Sequence, residues 1–142
     1  TIVAAMLCGS SAFSVELYDH SGASKSWINK FRAQNGQAVI EVSPVLTKVA
    51  ARHARDMSEN SFFSHTGSDG STIGERAGDA GYRFCIIAEN IAKGQRSLSE
   101  ALEGWRKSTG HRRNILLPKA REFAVVRGPG DVWVMVLGAQ AC

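Results

Sequence analysis

Two histidines and a glutamate stand in three short polar segments of this chain: Phe63-Ser64-His65-Thr66-Gly67, Ala88-Glu89-Asn90-Ile91 and Gly110-His111-Arg112-Arg113-Asn114-Ile115-Leu116. Brought together, two imidazoles and a carboxylate make an adequate first shell for zinc, with water completing the coordination. The same three groups can do general acid–base chemistry without a metal. Each residue also has a plainer reading. His65 alone reads as a surface histidine, and Glu89 as one half of a salt bridge with Arg76 or Arg113 as its partner. Glu89 follows the apolar Ile86-Ile87-Ala88, where a carboxylate must be solvated, paired or metal-bound, because burying it bare is very costly. Ser108 is a weak candidate nucleophile near His111, since no strained elbow surrounds it. Asn114, three residues after His111, reads as a ligand-orienting amide or a structural cap. His53 lies on an apolar helical stripe and reads as a core histidine, while His20 carries no signal.

The elements that must position these groups are legible in the periodicity. Trp27, Ile28 and Phe31 predict a short helix from Ser26 to Gln34, stopped by Asn35-Gly36. Ser43-Pro44 opens a second helix, a cap followed by proline at the first helical position. Its stripe Leu46, Val49, Ala50, His53, Ala54, Met57 carries it to about Glu59. Residues 65–72 form a loop, and Thr72 with Glu75 is a capping box opening a short helix that closes near Gly81. Arg83 to Ala88 reads as a buried strand. Ser97 with Glu100 is a second capping box, and Leu98, Ala101, Leu102 and Trp105 form the inward face of its helix, which Ser108 is expected to continue. Phe123–Val126 and Val132–Leu137 are strands joined by a Gly-Pro-Gly-Asp turn. Helices first and strands last indicate an α+β sandwich rather than a parallel α/β sheet.

With 142 residues, 44% of them hydrophobic and 21% charged, the chain has the size and composition of one globular domain. Its net charge of +4 is uneven: residues 90–142 hold nine Lys/Arg against four Asp/Glu, and residues 1–89 sum to −1. A basic half favours an anionic surface such as a cell-wall polymer or a phospholipid headgroup, or is simply a solvated face. The basic residues match no nucleic-acid reader motif, so no nucleic-acid partner is expected.

Thr1 to Ser14 contain no charge and resemble the end of a truncated secretory signal peptide, with cleavage after Ala12 or Ser14 and a single domain over residues 15–142. An ordinary buried segment and a lipoprotein acylated at Cys8 are the competing readings. No later run is long enough to span a membrane. Cleavage would leave Cys85 and Cys142, an even count that in an exported protein suggests one disulfide tying the chain end to a central strand. Two free buried thiols are the alternative.

In their order, these segments resemble the CAP superfamily of cysteine-rich secretory proteins, antigen 5 and pathogenesis-related protein 1, and more closely its bacterial SCP-like branch. The resemblance runs from about Trp27 to Leu137. It is carried by the segments of residues 50–57, 62–67, 69–71, 81–82, 88–92, 105–108 and 110–116 and by the Trp133 strand. It implies an α-β-α sandwich around a mainly antiparallel sheet, with one cleft lined by two histidines and two acidic residues. His65, Glu89 and His111 match three of these four, and Ser108 stands where the second acidic residue is expected. The resemblance implies His65 and His111 as zinc ligands and His53 as a packing residue.

Two functions follow as expectations. One is a secreted or periplasmic binding module, monomeric, whose cleft of His65, Glu89, Ser108, His111 and Asn114 holds a divalent metal or small ligand, with a cell-envelope or extracellular partner. The other is a metal-assisted hydrolase with zinc on His65 and His111, Glu89 as general base, and Ser108 or Asn114 orienting the substrate. A third reading, a structural envelope protein, makes the same residues mere ties between loops.

Overall fold

A computed structural model describes residues 16–142; the leader-like stretch, its cleavage points and Cys8 lie outside the described residues. Five helices and five strands follow in the order β1 (Tyr18–Asp19), α1 (Ser21–Gln34), β2 (Glu41–Val42), α2 (Pro44–Glu59), α3 (Ile73–Asp79), β3 (Ile86–Lys93), α4 (Leu98–Lys107), α5 (Thr109–Ile115), β4 (Glu122–Gly128) and β5 (Val132–Ala139). The sheet runs β1-β4-β5-β3, with β2 also paired to β4. Every pairing is antiparallel except β2 with β4.

The alternation of β4 and β5 builds the three layers. Phe123 and Val125 with Trp133, Met135 and Leu137 face α1, α4 and α5, where they pack on Ile28, Phe31, Leu102, Trp105 and Ile115. Ala124 and Val126 with Val132, Val134 and Val136 face α2 and α3, meeting Leu46, Val49, Ala54, Met57 and Ala77. Side chains of period two on a strand point to opposite faces, so one hairpin supplies both cores. All eight residues of β5 are buried, as expected of a strand covered on both faces. The turn between these strands places Gly130 and Asp131 at positive φ, 76° and 56°.

Most helix ends follow the sequence signals. The Ser43 side chain accepts from the Leu46 N–H at 3.1 Å, and Pro44 opens α2. Thr72 and Glu75 form the full capping box of α3. At α4 the reciprocal half is absent: Ser97 accepts from the Glu100 N–H, but the Glu100 carboxylate takes the Arg96 N–H instead. The first helix begins at Ser21 rather than Ser26, because Asp19 accepts from the Ser21 N–H and Ser21 and Ser24 are buried against the sheet.

The Cys85 and Cys142 sulfurs are bonded across 57 residues. Cys85 lies just before β3, an edge strand and not the central one the sequence suggested; its N–H donates to the Ala139 carbonyl beside the bond. Closing a loop of this length stabilises by about 2–4 kcal/mol.

Candidate functional site

The site is built on β3, which is longer than the sequence suggested. Pairing with β5 runs from Ile86↔Ala139 to Lys93↔Val132, so Glu89 and Asn90 lie inside the strand and not at its end. Adjacent residues point to opposite faces, and the two polar side chains therefore enter different layers. Glu89 shares its face with Val136 and the α2/α3 layer; Asn90 shares its face with Met135 and the α4/α5 layer.

On the first face, Glu89 has a side chain 1% exposed and both oxygens occupied. Its Oε1 accepts from Nδ1 of His65 at 2.9 Å, and its Oε2 accepts from Arg76 at 2.9 Å. Arg76, equally buried, also donates to the Ser71 and His65 carbonyls, which fixes the 65–72 loop on α3. His53 stands behind, fully buried, with Nε2 donating to the Ser64 carbonyl at 2.8 Å and lying 3.7 Å from Glu89. Its Nδ1 has no partner among the described residues. Arg76 is thus the arginine that pairs with Glu89, and His53 sits in the core as its stripe predicted.

On the second face, Asn90 donates to the His111 carbonyl at 3.0 Å, and Asn114 donates to Asn90 Oδ1 at 2.8 Å and to the Glu89 carbonyl at 3.3 Å. Asn114 is therefore a clamp between α5 and β3 and not a cap. His111 belongs to a separate short helix, α5, which the sequence did not reveal. Ser108 ends α4 and begins α5 in an extended conformation, φ −91° and ψ 123°, so it does not continue the inward face of α4. A groove of about 310 Å³ is lined by Ser108 and His111 together with Phe63, Gln95, Gly104 and Trp105. The Trp105 indole donates to the Ile91 carbonyl at 3.2 Å and thereby covers the outer edge of β3.

The two histidines titrate in opposite directions. The hydrogen bond to Glu89 raises His65 above the usual histidine value, reinforced by the carboxylate's charge and opposed by burial and Arg76. Burial lowers His111, and the charge of His65 adds to this. Burial also lowers His53. Two-dimensional NMR of the imidazoles is expected to show His65 titrating above 6.5 and His53 and His111 below it. Identical midpoints for all three would refute the arrangement. The stability signs follow by linkage. The contribution of His65 is complete below 6.5 and disappears as pH rises through its raised midpoint. That of His53 is complete above 6.5 and disappears as pH falls through its lowered midpoint.

With Nδ1 of His65 held by Glu89, Nε2 is the nitrogen left to bind, and the ring is 58% exposed. A carboxylate behind a histidine orients the ring and raises its basicity, a common setting for a metal-binding imidazole. Among the described residues, however, no group of three or more His, Cys, Asp or Glu is placed to hold a metal ion. The donor set is two imidazoles. Glu89 lies behind His65 alone, and His111 is held through its main chain by Asn90.

Residues 26–137 match the cysteine-rich secretory protein (CAP) family. Two Bacillus subtilis proteins are similar in sequence: YkwD, 29% identical over 106 residues, and the membrane protein YlbC, 34% identical over 88 residues. These alignments cover 74% and 62% of this chain but only 41% and 25% of the relatives, so the chain spans less than half the length of the curated relatives it matches. Among solved structures, an extracellular SCP-domain protein of Bacillus anthracis superposes with a TM-score of 0.78 at 25% identity, covering 84% of this chain and 40% of that one. An outer surface protein of Borrelia burgdorferi shares the fold at 20% identity, with a TM-score of 0.78, over 90% of this chain and all of its own. The match across most of the chain, on a three-layer fold of the same type, makes this protein a member of the cysteine-rich secretory protein (CAP) family.

Proposed function

We propose that the protein is an exported binding module whose cleft takes a divalent cation or small polar ligand at His65 and His111. The observation that carries this reading is the state of Glu89. A general base needs a free lone pair beside the water it deprotonates. Glu89 has one oxygen on His65 and the other on Arg76, in a setting 1% exposed. Buried and committed to positioning His65, Glu89 is poorly placed to be the general base that the hydrolytic alternative assigns to it.

Two imidazoles make a minimal donor set, which suits a cation that shares its remaining positions with a ligand or water. Zinc held by His65 and His111 would supply Lewis acidity toward an oxygen of that ligand. The chain's own residues fix the donors: Glu89 orients His65, while Asn90 and Asn114 hold the helix that carries His111. Because His65 must lose its proton to bind metal, affinity should rise as pH passes its raised midpoint. Export is supported by the disulfide and by the extracellular and outer-surface descriptions of the structural relatives.

Calorimetric titration with zinc tests the reading. Saturable binding is expected in the wild type and none in His65→Ala/His111→Ala. Equal responses from the two proteins would overturn the metal site. Turnover of an ester or peptide panel that vanishes in Glu89→Gln would overturn the binding-module reading in favour of the hydrolase.

A further inference from the structure

From Gly104 to Arg121 the chain holds six Lys and Arg and no Asp or Glu. This stretch forms the end of α4, all of α5 and the turn before β4, and it lies beside α1. Arg112 sets its guanidinium 5.1 Å over the Phe31 ring and donates to the Asn35 side-chain oxygen at 3.1 Å. A ring face and an amide orient an arginine without neutralising it. Among the described residues neither Arg112 nor its exposed neighbour Arg113 forms an ion pair.

Arg112 lines one open groove and lies over Phe31, which lines a second. One, of about 320 Å³, has Leu116, Leu117 and Pro118 below the Arg112 and Arg113 rim. The other, of about 370 Å³, lies between α1 and α4 and is lined by Trp27, Lys30, Phe31 and Gln34 with Glu103 and Arg106. Glu103 and Arg106 neutralise each other, so the uncompensated charge is Lys30, Arg112 and Arg113. Trp27, half-buried and 5.5 Å from Phe31, offers a ring anchored in the domain and open to this groove.

We propose that this face of α1 and α5 binds an acidic polysaccharide, with a sugar ring against Trp27 and carboxylates on Lys30, Arg112 and Arg113. Two features of the face select this partner. Spaced, uncompensated cations call for a repeating anion. The aromatic ring beside them calls for a repeat unit with an apolar face, which a bare polyphosphate lacks. A bilayer is matched by apolar side chains that protrude, whereas Leu116 and Leu117 are half-buried within their groove. The face is separate from the cleft, since α5 turns Asn114 toward β3 and Arg112 toward α1. A failed zinc titration therefore leaves this proposal intact, and the reverse holds.

The test is binding of the protein to immobilised alginate, a uronic-acid polymer, with dextran, polyphosphate and phosphatidylglycerol vesicles as comparisons. Wild type is expected to bind alginate in a salt-sensitive manner and to ignore dextran. Arg112→Glu/Arg113→Glu should bind alginate about tenfold more weakly or worse, with an unchanged circular dichroism spectrum and zinc response. Trp27→Leu, which keeps an apolar side chain, should weaken alginate binding while leaving any polyphosphate binding unchanged. Three results would overturn the proposal: alginate binding that survives the double charge reversal, equal loss for polyphosphate in Trp27→Leu, or vesicles bound more tightly than alginate.

Discussion

Arg76→Met is expected to destabilise the protein by about 3–5 kcal/mol, the usual cost of removing one partner from a buried ion pair. Arg76 and Glu89 are each 1% exposed in their side chains, and their 2.9 Å contact crosses from α3 to the sheet edge. Without the guanidinium, the carboxylate keeps two histidines, the buried His53 at 3.7 Å and His65, a ring 58% exposed, each a countercharge only when protonated. The Ser71 and His65 carbonyls lose the guanidinium in the same step, so the 65–72 loop keeps its capping box at Thr72 but loses these two ties to α3. The thermal midpoint should fall by roughly 10–20 °C for a domain of this size. The double variant Arg76→Met/Glu89→Gln separates the causes. Because it removes the stranded charge, it should recover a large part of the loss and bring His65 back toward 6.5, since the Glu89 bond is the main reason for its rise. If the double variant is as unstable as Arg76→Met, the loss comes from packing and not from an unpaired carboxylate.

The positions hardest to read in the sequence share one physical feature. Stripes and caps are local, so α2 is legible from Ser43-Pro44 and its apolar period, and the hairpin from its turn and alternating valines. The sequence offers Arg76 only as one of two arginines for Glu89, because it sits on a short helix with no apolar stripe and its partner lies on a strand that begins ten residues later. The polar pair Glu89-Asn90 looks like the end of a strand because one strand seldom buries two polar residues in succession. It does so here because each face supplies its own partners, Arg76 and His65 on one side, Asn114 and α5 on the other. The helix break at Ser108 escaped for a similar reason. Residues 105–111 carry no proline, and the chain is redirected by the fit of α5 against β3. His65, Glu89 and His111 themselves were legible because their identities are chemically distinctive, while the residues that hold them are common types in long-range contacts.

Arg32 shows how far such a contact can reach. It is fully buried in α1, and its described partners are main-chain carbonyls: Ala38 through Nε at 2.8 Å, and Ile115 and Leu117 through Nη1 at 2.8 and 2.9 Å. Burial lowers its pKa, with the nearby Arg121 adding to the effect. Two of these carbonyls lie at and just beyond the C-terminal end of α5, where a cation is favoured by the helix dipole and by the carbonyls left without intrahelical donors. Arg32→Met should therefore cost about 3 kcal/mol, from hydrogen bonds to a charged donor and acceptors left unsatisfied. Lysine should not restore it, because a single ammonium cannot reproduce the planar fork that meets several carbonyls at once. The loss should be read at the site as well as in urea unfolding. Hydrogen exchange across residues 109–117 should quicken, because α5 would keep the Asn90 and Asn114 bonds at β3 but lose the lock at its far end. Zinc affinity should then fall in Arg32→Met although the variant touches neither imidazole. Unchanged exchange in α5 alongside the loss of stability would show that Arg32 supports the core and does not position His111.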